Sequence, residues 1–466
     1  MKTIITKELL DHLKSIQFIV LLIVASVLFI ANGLLFSKRC NQQMNWYSQN
    51  ITAAQQNPST VSASLFVRPN SLLFISEGGD KYRPQSYNLS PKGVLSPAAE
   101  ESRNYKMPEV PEMDWSFIIK ILFSLYIILL GYNTVSGEKE QGTLRQILSH
   151  PLGRIKLLTA KYAAIMVTVT VPLIIGILLS LIIVGISVPS ILTIVNLSRI
   201  ILILLLTLMY LSTFAFLSLL VSSFIHDSSV VLLTLLVVWV IFAIIVPNTA
   251  GIISEKFSTV PSEYKIAQEV MPMIQQQVWT KIGKIRERVD NGELKTEEEI
   301  RRESDNAFNE GQDDLIKHNA SYFNAMKERA DLAREISRLS PTSLFQYASE
   351  SIAESDPMRE EKFIREAKEY GVIYDHYILT KLGKVVGVSN WSFGTNMVLN
   401  GKPIGIQSPR PQEYQGDKSD FPQFRESRSP ILESIANALI DLIGLILWNI
   451  ILAAGAFLAI LKSDVR

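Results

Sequence analysis

Ser136-Gly137-Glu138-Lys139-Glu140-Gln141-Gly142-Thr143-Leu144-Arg145-Gln146-Ile147-Leu148-Ser149-His150-Pro151-Leu152-Gly153-Arg154 is a charged run set between two apolar stretches, 115–132 and 157–186. Each of those stretches is long enough to cross a hydrocarbon core of roughly 30 Å at about 1.5 Å per residue. The run between them is therefore a connector at one face of a membrane. Read as a short helix over 138–149, it puts Leu144, Ile147 and Leu148 on one side at i, i+3, i+4 spacing, with Glu138, Lys139, Glu140 and Arg145 elsewhere in water. Pro151 stops it. Two readings follow: a solvated connector whose positive charges anchor topology, or a helix whose apolar side needs a groove on another protein.

Outward from that run, the composition agrees with a membrane protein that carries much water-exposed chain. Of 466 residues, 48% are hydrophobic, too many for an ordinary soluble protein, yet 19% are charged. The net charge of +1 leaves no concentrated basic face, so nucleic acid is not a partner. The single cysteine, Cys40, excludes an internal disulfide and any multi-cysteine metal site, and the five histidines have no ligand-like spacing, so no metal residues are assigned. The first apolar run exceeds a signal-peptide core in length and is followed by Lys38 and Arg39, so it reads as a retained span.

Taken in order, 1–16 carries Ile5, Leu9, Leu13 and Ile16 among Lys2, Lys7, Glu8, Asp11 and Lys14, which predicts an amphipathic surface helix. The spans are expected at 17–36, 115–132, 157–186, 200–224, 230–246 and 431–461, giving a mainly α, polytopic protein with six transmembrane helices. Two long connectors, 37–114 and 251–430, hold no span. The first is polar without a helical period, and 64–67 and 71–75 flank Arg68-Pro69-Asn70 as a hairpin candidate. The second is mainly helical: 262–289 and 296–339 form an expected antiparallel helical pair about Asp290-Asn291-Gly292, a further helix is expected over 358–382, and 389–429 reads as irregular.

Lys and Arg in the short segments set the orientation. Lys2, Lys7, Lys14, Lys139, Arg145, Arg154, Lys156, Lys161, Lys462 and Arg466 place both termini and 137–154 in the cytoplasm, against Arg199 alone by the short third connector. Both long connectors then lie outside and are expected to meet there as one largely helical extracytoplasmic domain.

The chain shows no Gly-x-x-x-x-Gly-Lys-Ser/Thr loop, no His-Glu-x-x-His and no Gly-x-Ser-x-Gly, so no catalytic residue is assigned. Polar residues in the spans are the remaining signal. Ser116, Lys120 and Ser124 recur every four residues in one span, and Glu433, Asn437 and Asp441 do so at the start of the last. They read either as interfacial snorkelling and helix capping or as a pathway-lining ion pair between Lys120 and an acid of the last span.

Glu-x-Glu-x-Gly-Thr-Leu-Arg followed by Leu-Ser-x-Pro and Arg154 resembles the segment after the second span in ABC type-2 transporter permeases. Arg68, Pro69, Leu72 and Gly78, and Leu339-Ser340-Pro341 with Leu344, Phe345, Gln346 and Asp356, are similar to a subgroup with large extracytoplasmic domains. Tyr132 and Asn133 stand where many relatives carry an acid. The resemblance makes 137–154 a coupling helix that docks on a separate ABC ATPase subunit through Glu138, Glu140, Gly142, Thr143, Leu144, Arg145, Ile147, Leu148, Pro151 and Arg154. It makes 1–16 an elbow helix. It implies an exporter permease that works as a homo- or heterodimer with a second permease, in the inner membrane of a prokaryote. This chain has no cofactor of its own, and ATP and Mg sit on the partner. The alternative is a mechanotransmission scaffold that moves its outer domain against an envelope partner.

Overall fold

The computed structural model describes residues 2–56, 63–80, 83–90, 94–97, 113–144, 146, 153–257, 271–382, 395–399, 402–406 and 421–462. A short helix, α1 (Lys2–Leu13), leads into the first of six helices long and apolar enough to cross a membrane. These are α2 (Ile16–Gln56), α3 (Trp115–Glu140), α4 (Arg154–Ser187), α5 (Ile194–Phe224), α6 (Ser228–Phe257) and α12 (Leu439–Lys462). The chain is thus a mainly α, multi-pass membrane protein, with α1, the C-terminal end of α12 and the connector after α3 at one end of the bundle.

Lipid tails are as apolar as leucine, so close packing and hydrogen bonds must hold such helices together. Gly176 of α4 supplies close approach: a methyl there would lie 2.9 Å from Phe29 Cε2 of α2. Phe29 in turn meets Trp115 and Phe123 of α3 edge-on at 5.8 and 6.3 Å. Asn449 of α12 donates to Met209 O (3.0 Å) and Thr213 Oγ1 (2.9 Å) of α5. Both α3 and α6 contain a wide π turn, at Ile119–Phe123 and Ile241–Ile245. Such turns disturb the regular ladder, and side chains serve carbonyls there: Tyr210 donates to Lys120 O at 3.1 Å and Ser340 to Phe242 O at 2.5 Å.

The other end of the bundle is capped by a domain built from both long connectors. Strands β1 (Ala63–Phe66), β2 (Ser86–Ser90) and β3 (Val94–Pro97) form an antiparallel sheet in that order. The second connector contributes α7 (Met271–Asp290), α8 (Glu297–Ser337), α9 (Pro341–Ala353), α10 (Pro357–Leu382), the hairpin β4 (Thr395–Leu399) and β5 (Lys402–Ile406), and α11 (Ile431–Asn437). The antiparallel pair α7 and α8 buries Val278, Ile282, Ile285 and Val289 against Ile300 and Ala307. Gly292 makes its turn at φ +75°, and Thr296 with Glu299 forms a capping box at the start of α8. Leu65 and Leu89 of the sheet pack on Phe363, Ala367, Tyr374 and Ile378 of α10.

Three local expectations are corrected. Residues 37–56 are not irregular but continue the first span as one helix to Gln56, because Gln42, Gln43, Met44, Ala53 and Ala54 favour helix and no Gly or Pro interrupts them. Residues 64–67 do not pair with 71–75, since β1 takes β2 as its neighbour. Leu72, Leu73, Phe74 and Ile75 are all buried, without the alternation of a strand, and Phe74 and Ile75 instead offer their carbonyls to the amides of Trp115 (3.0 Å) and Ser116 (2.9 Å) at the start of α3. Within 389–429, residues 395–399 and 402–406 form a hairpin rather than irregular chain.

Candidate functional site

The site is the connector after α3 and what it touches. At its N-terminal edge the helix axis is interrupted at 132–135, where Ser222 Oγ of α5 accepts from the amides of Val135 (3.1 Å) and Ser136 (3.0 Å). Ser136–Glu140 then forms one more turn, with Gly142 closing it at φ +67°, a conformation that favours glycine.

Glu138 faces inward. Its Oε1 lies 2.7 Å from Lys161 Nζ of α4, which also meets Glu8 Oε1 of α1 at 3.0 Å and donates to Thr134 O at 2.8 Å. The Lys161 side chain is 1% exposed, so three elements share one buried cation. Isolating an ion from water costs several kcal/mol unless it is paired and hydrogen-bonded, which fixes these three elements to one another. His12 of α1 lies beside this centre, and burial pushes its pKa below the usual histidine range, with the Lys161 charge acting in the same direction, which disfavours a second cation there.

Glu140 faces the next connector: its two carboxylate oxygens accept from Ser228 N (2.7 Å) and Ser228 Oγ (3.0 Å) at the start of α6. Lys139 donates to Ser223 O at the end of α5. Thr143 Oγ1 donates back to Glu138 O at 3.3 Å. Arg154, at the start of α4, donates to Ile460 O (3.3 Å) and Leu461 O (2.6 Å) at the end of α12. One short segment thus contacts or neighbours α1, α4, α5, α6 and α12.

Leu144 requires a correction. Its spacing puts it on an apolar side turned toward a partner, but it is 4% exposed and belongs to the core of this chain. Among the described residues of 136–146, Glu140, Gln141, Gly142 and Gln146 are exposed. Among the described residues, none lies within 4 Å of where a Gly142 side chain would begin. Arg145, Ile147, Leu148 and Pro151 lie outside the described residues.

The polar residues of the spans are placed differently from the ion pair that spacing suggests. Lys120 donates to Gln346 of α9 at 2.8 Å. Asp441, fully buried, is held by Arg338 at 2.7 Å and Arg334 at 3.6 Å, both at the end of α8. Glu433 is exposed and Asn437 half-buried. A second centre, whose partners no spacing signal could have joined, lies around Arg199 of α5. This 1%-exposed side chain donates to Ile352 O (2.6 Å), Ser434 Oγ (3.0 Å) and Ser429 O (2.7 Å) and sits 3.3 Å from Glu354. With Tyr210 stacked on Phe345 at 4.5 Å, these contacts lock α9 between the spans and the capping domain.

Among the described residues no group of acids, histidines and cysteine could hold a metal ion. A family model described as ABC-2 family transporter protein matches residues 2–465. A comparison with curated proteins finds no match.

Proposed function

The chain belongs to the ABC-2 transporter family, and from that premise we propose that this membrane subunit is the permease of an exporter driven by a separate ATPase docked on the Glu140-Gln141-Gly142 tip. ATP and Mg belong to that ATPase, and a second permease, identical or related, completes the complex. The observation that carries this reading is the Lys161 centre, because a displacement of the tip reaches α1 through Glu8 and α4 through Lys161 by buried charged contacts of 3.0 Å or less. Termini and tip face the cytoplasm of a prokaryote and the capping domain faces outward, on the Lys and Arg distribution.

The test is co-expression with the ATPase encoded beside the gene, purification of the complex and assay of ATP hydrolysis in proteoliposomes. Assembly and permease-dependent hydrolysis are expected; failure to assemble overturns the reading. Orientation is read from a cysteine placed at Asn291, which is exposed at the α7–α8 turn, because the native Cys40 is 2% exposed and reports on neither side.

One observation favours the mechanotransmission variant of the same engine. Asp441 and Arg199 tie α12 and α5 directly into the capping domain, so a tilt of either span moves that domain. ATP-dependent protection of the Asn291 cysteine without any movement of lipid or dye across proteoliposomes supports that variant over export.

A further inference from the structure

Arg428, just before α11, is an exposed arginine surrounded largely by charges of its own sign. Its Nη1 donates to Asn196 Oδ1 of α5 at 3.3 Å, and among the described residues that is the one acceptor it finds. Partial burial and then the charge of Arg68 pull its pKa down; Arg199 and Arg359 act in the same direction, and Glu354 opposes them. The cleft beside it is lined by Arg68, Arg359, Lys362 and Arg428 against Glu354 and Glu426, four cations to two acids. Both acids are engaged. Glu354 Oε1 accepts from the Ser429 amide at 2.6 Å and lies 3.3 Å from Arg199, while Glu426 accepts from Arg359 Nε at 3.1 Å and from the Arg68 amide at 2.8 Å. Arg359 is also held by Asp80 at 3.1 Å, and Lys362 donates to Ser429 Oγ at 3.1 Å. The half-buried Arg68 guanidinium meets no acceptor among the described residues. Like charges gathered with donors to spare suit an oxyanion.

The neighbouring surface is apolar. Ile194, just before Asn196 on α5, is 86% exposed, and Leu432, just after Arg428 on α11, is 80% exposed; Ile186, Leu192 and Ile440 are exposed as well. Exposed apolar side chains at the ends of spans belong in lipid, so Arg428 stands where hydrocarbon gives way to headgroups. An arginine at that depth needs a counter-charge or water. The cleft holds about 30 Å³, space for one or two oxygen atoms, so a ligand enters by its tip and leaves the rest outside. A phospholipid has that shape: its phosphodiester presents two free oxygens, and its chains can lie along the apolar residues.

We propose that Arg428, with Lys362 and Arg68, binds the phosphate of an anionic phospholipid at the capped end of the bundle, where the capping domain meets the membrane surface. The site depends neither on where the ATPase docks nor on which side of the membrane the capping domain faces.

The test labels the full chain carrying Leu432→Cys with a fluorescent bimane; the native Cys40 is buried and stays unlabelled. The protein is reconstituted in mixed phosphatidylglycerol and phosphatidylcholine bilayers in which one lipid or the other bears brominated chains, so that quenching reports which lipid lies beside this site. Phosphatidylglycerol is expected to be preferred about fivefold, the gain from one interfacial arginine. Arg428→Gln should bring the ratio to about one, and Arg428→Lys should keep most of it. Arg286→Gln, exposed on α7, should behave as wild type. Glycerol 3-phosphate, the same headgroup chemistry without chains, should leave the quenching unchanged. If Arg428→Gln does not fold, Lys362→Gln decides by a reduced ratio. Equal quenching by the two lipids in the wild type, an undiminished preference in the deciding variant, or displacement by glycerol 3-phosphate, which would assign a free anion instead, overturns the proposal.

Discussion

The buried ammonium of Lys161 on α4 lies 2.7 Å from the half-buried carboxylate of Glu138 on the connector, and among the described residues it is the cation that bonds that acid. Removing it with Lys161→Met strands Glu138 and Glu8 together. Deleting one member of a buried ion pair costs about 3–5 kcal/mol, because the remaining charge loses its compensation. Thermal unfolding in detergent should show a large loss for Lys161→Met and partial recovery in Lys161→Met/Glu138→Gln. No recovery in the double variant would mean that the pair is not what the lysine serves.

Asp441 and Arg338 make the corresponding link at the capped end, 2.7 Å apart. A double-mutant cycle with Asp441→Asn and Arg338→Met should give a coupling of about 1–3 kcal/mol. The cycle of Asp441→Asn with Lys120→Gln should give clearly less, because Lys120 is bonded to Gln346. Equal couplings would restore the ion pair suggested by spacing alone.

That contrast marks the limit of what was legible in the sequence. Span-length apolar runs are local properties, and so the helical, multi-pass class could be read directly. Partner choice was not legible. Lys120 and Asp441 each stand on an apolar helix, but the residues that satisfy them, Gln346 and Arg338, come from distant turns of the second connector. Leu144 misled for a related reason: helical periodicity shows that a side is apolar, not whether the chain's own core or another protein covers it. The hairpin at 64–75 failed because Asn70 uses its side chain both to accept from the Leu72 amide (3.0 Å) and to donate to Ala353 O (2.8 Å), a long-range contact that bends the chain away from a strand.

Glu350 gives the capping domain a pH dependence. Burial pushes its pKa up to about 7 from 4.5, opposed by its bond to Gln346 and the charges of Arg334 and Lys120 and reinforced by Asp114. A carboxyl whose folded value is raised binds more protons folded than unfolded between those two values, so stability falls as pH rises through that window. The contribution is fully present below about pH 4.5 and lost above about pH 7. It is on the order of 3 kcal/mol at roughly 1.4 kcal/mol per unit. Melting curves from pH 5 to 8 should show the decline, and Glu350→Gln should flatten it; an unchanged slope in the variant would assign the dependence to other groups.

Gly78 sits against the same residue. At φ +53° it occupies the left-handed region, and a methyl there would lie 2.8 Å from Glu350 Cγ and 2.8 Å from Ser355 O. Gly78→Ala therefore combines backbone strain with overpacking against a backbone oxygen that cannot easily move. About 2–4 kcal/mol of destabilisation is expected. Hydrogen exchange should show the loss in α9 as well as in 68–80, since both sides of the contact must shift; a loss confined to 68–80 would argue against a shared packing unit.

The docking surface proposed at the tip of the connector can be tested apart from folding. Gln141 and Gly142 are exposed, while Glu140 behind them is anchored to Ser228 and Leu144 beyond them is buried in the core. Gln141 is exposed, so a large side chain there displaces no buried group of the described residues but obstructs any protein seated on it. Gln141→Trp should therefore keep the wild-type unfolding temperature and lose the ATPase on co-purification, together with stimulated hydrolysis. Gly142→Ala adds backbone strain of about 1 kcal/mol at positive φ and should weaken docking less. Leu144→Asp puts a carboxylate into an apolar core, so it should lower stability and docking together and cannot report on the interface. The comparison is between stability-neutral variants at the tip and the destabilising one beside it. Full recovery of an active ATPase with Gln141→Trp would place the docking surface elsewhere on this face of the bundle.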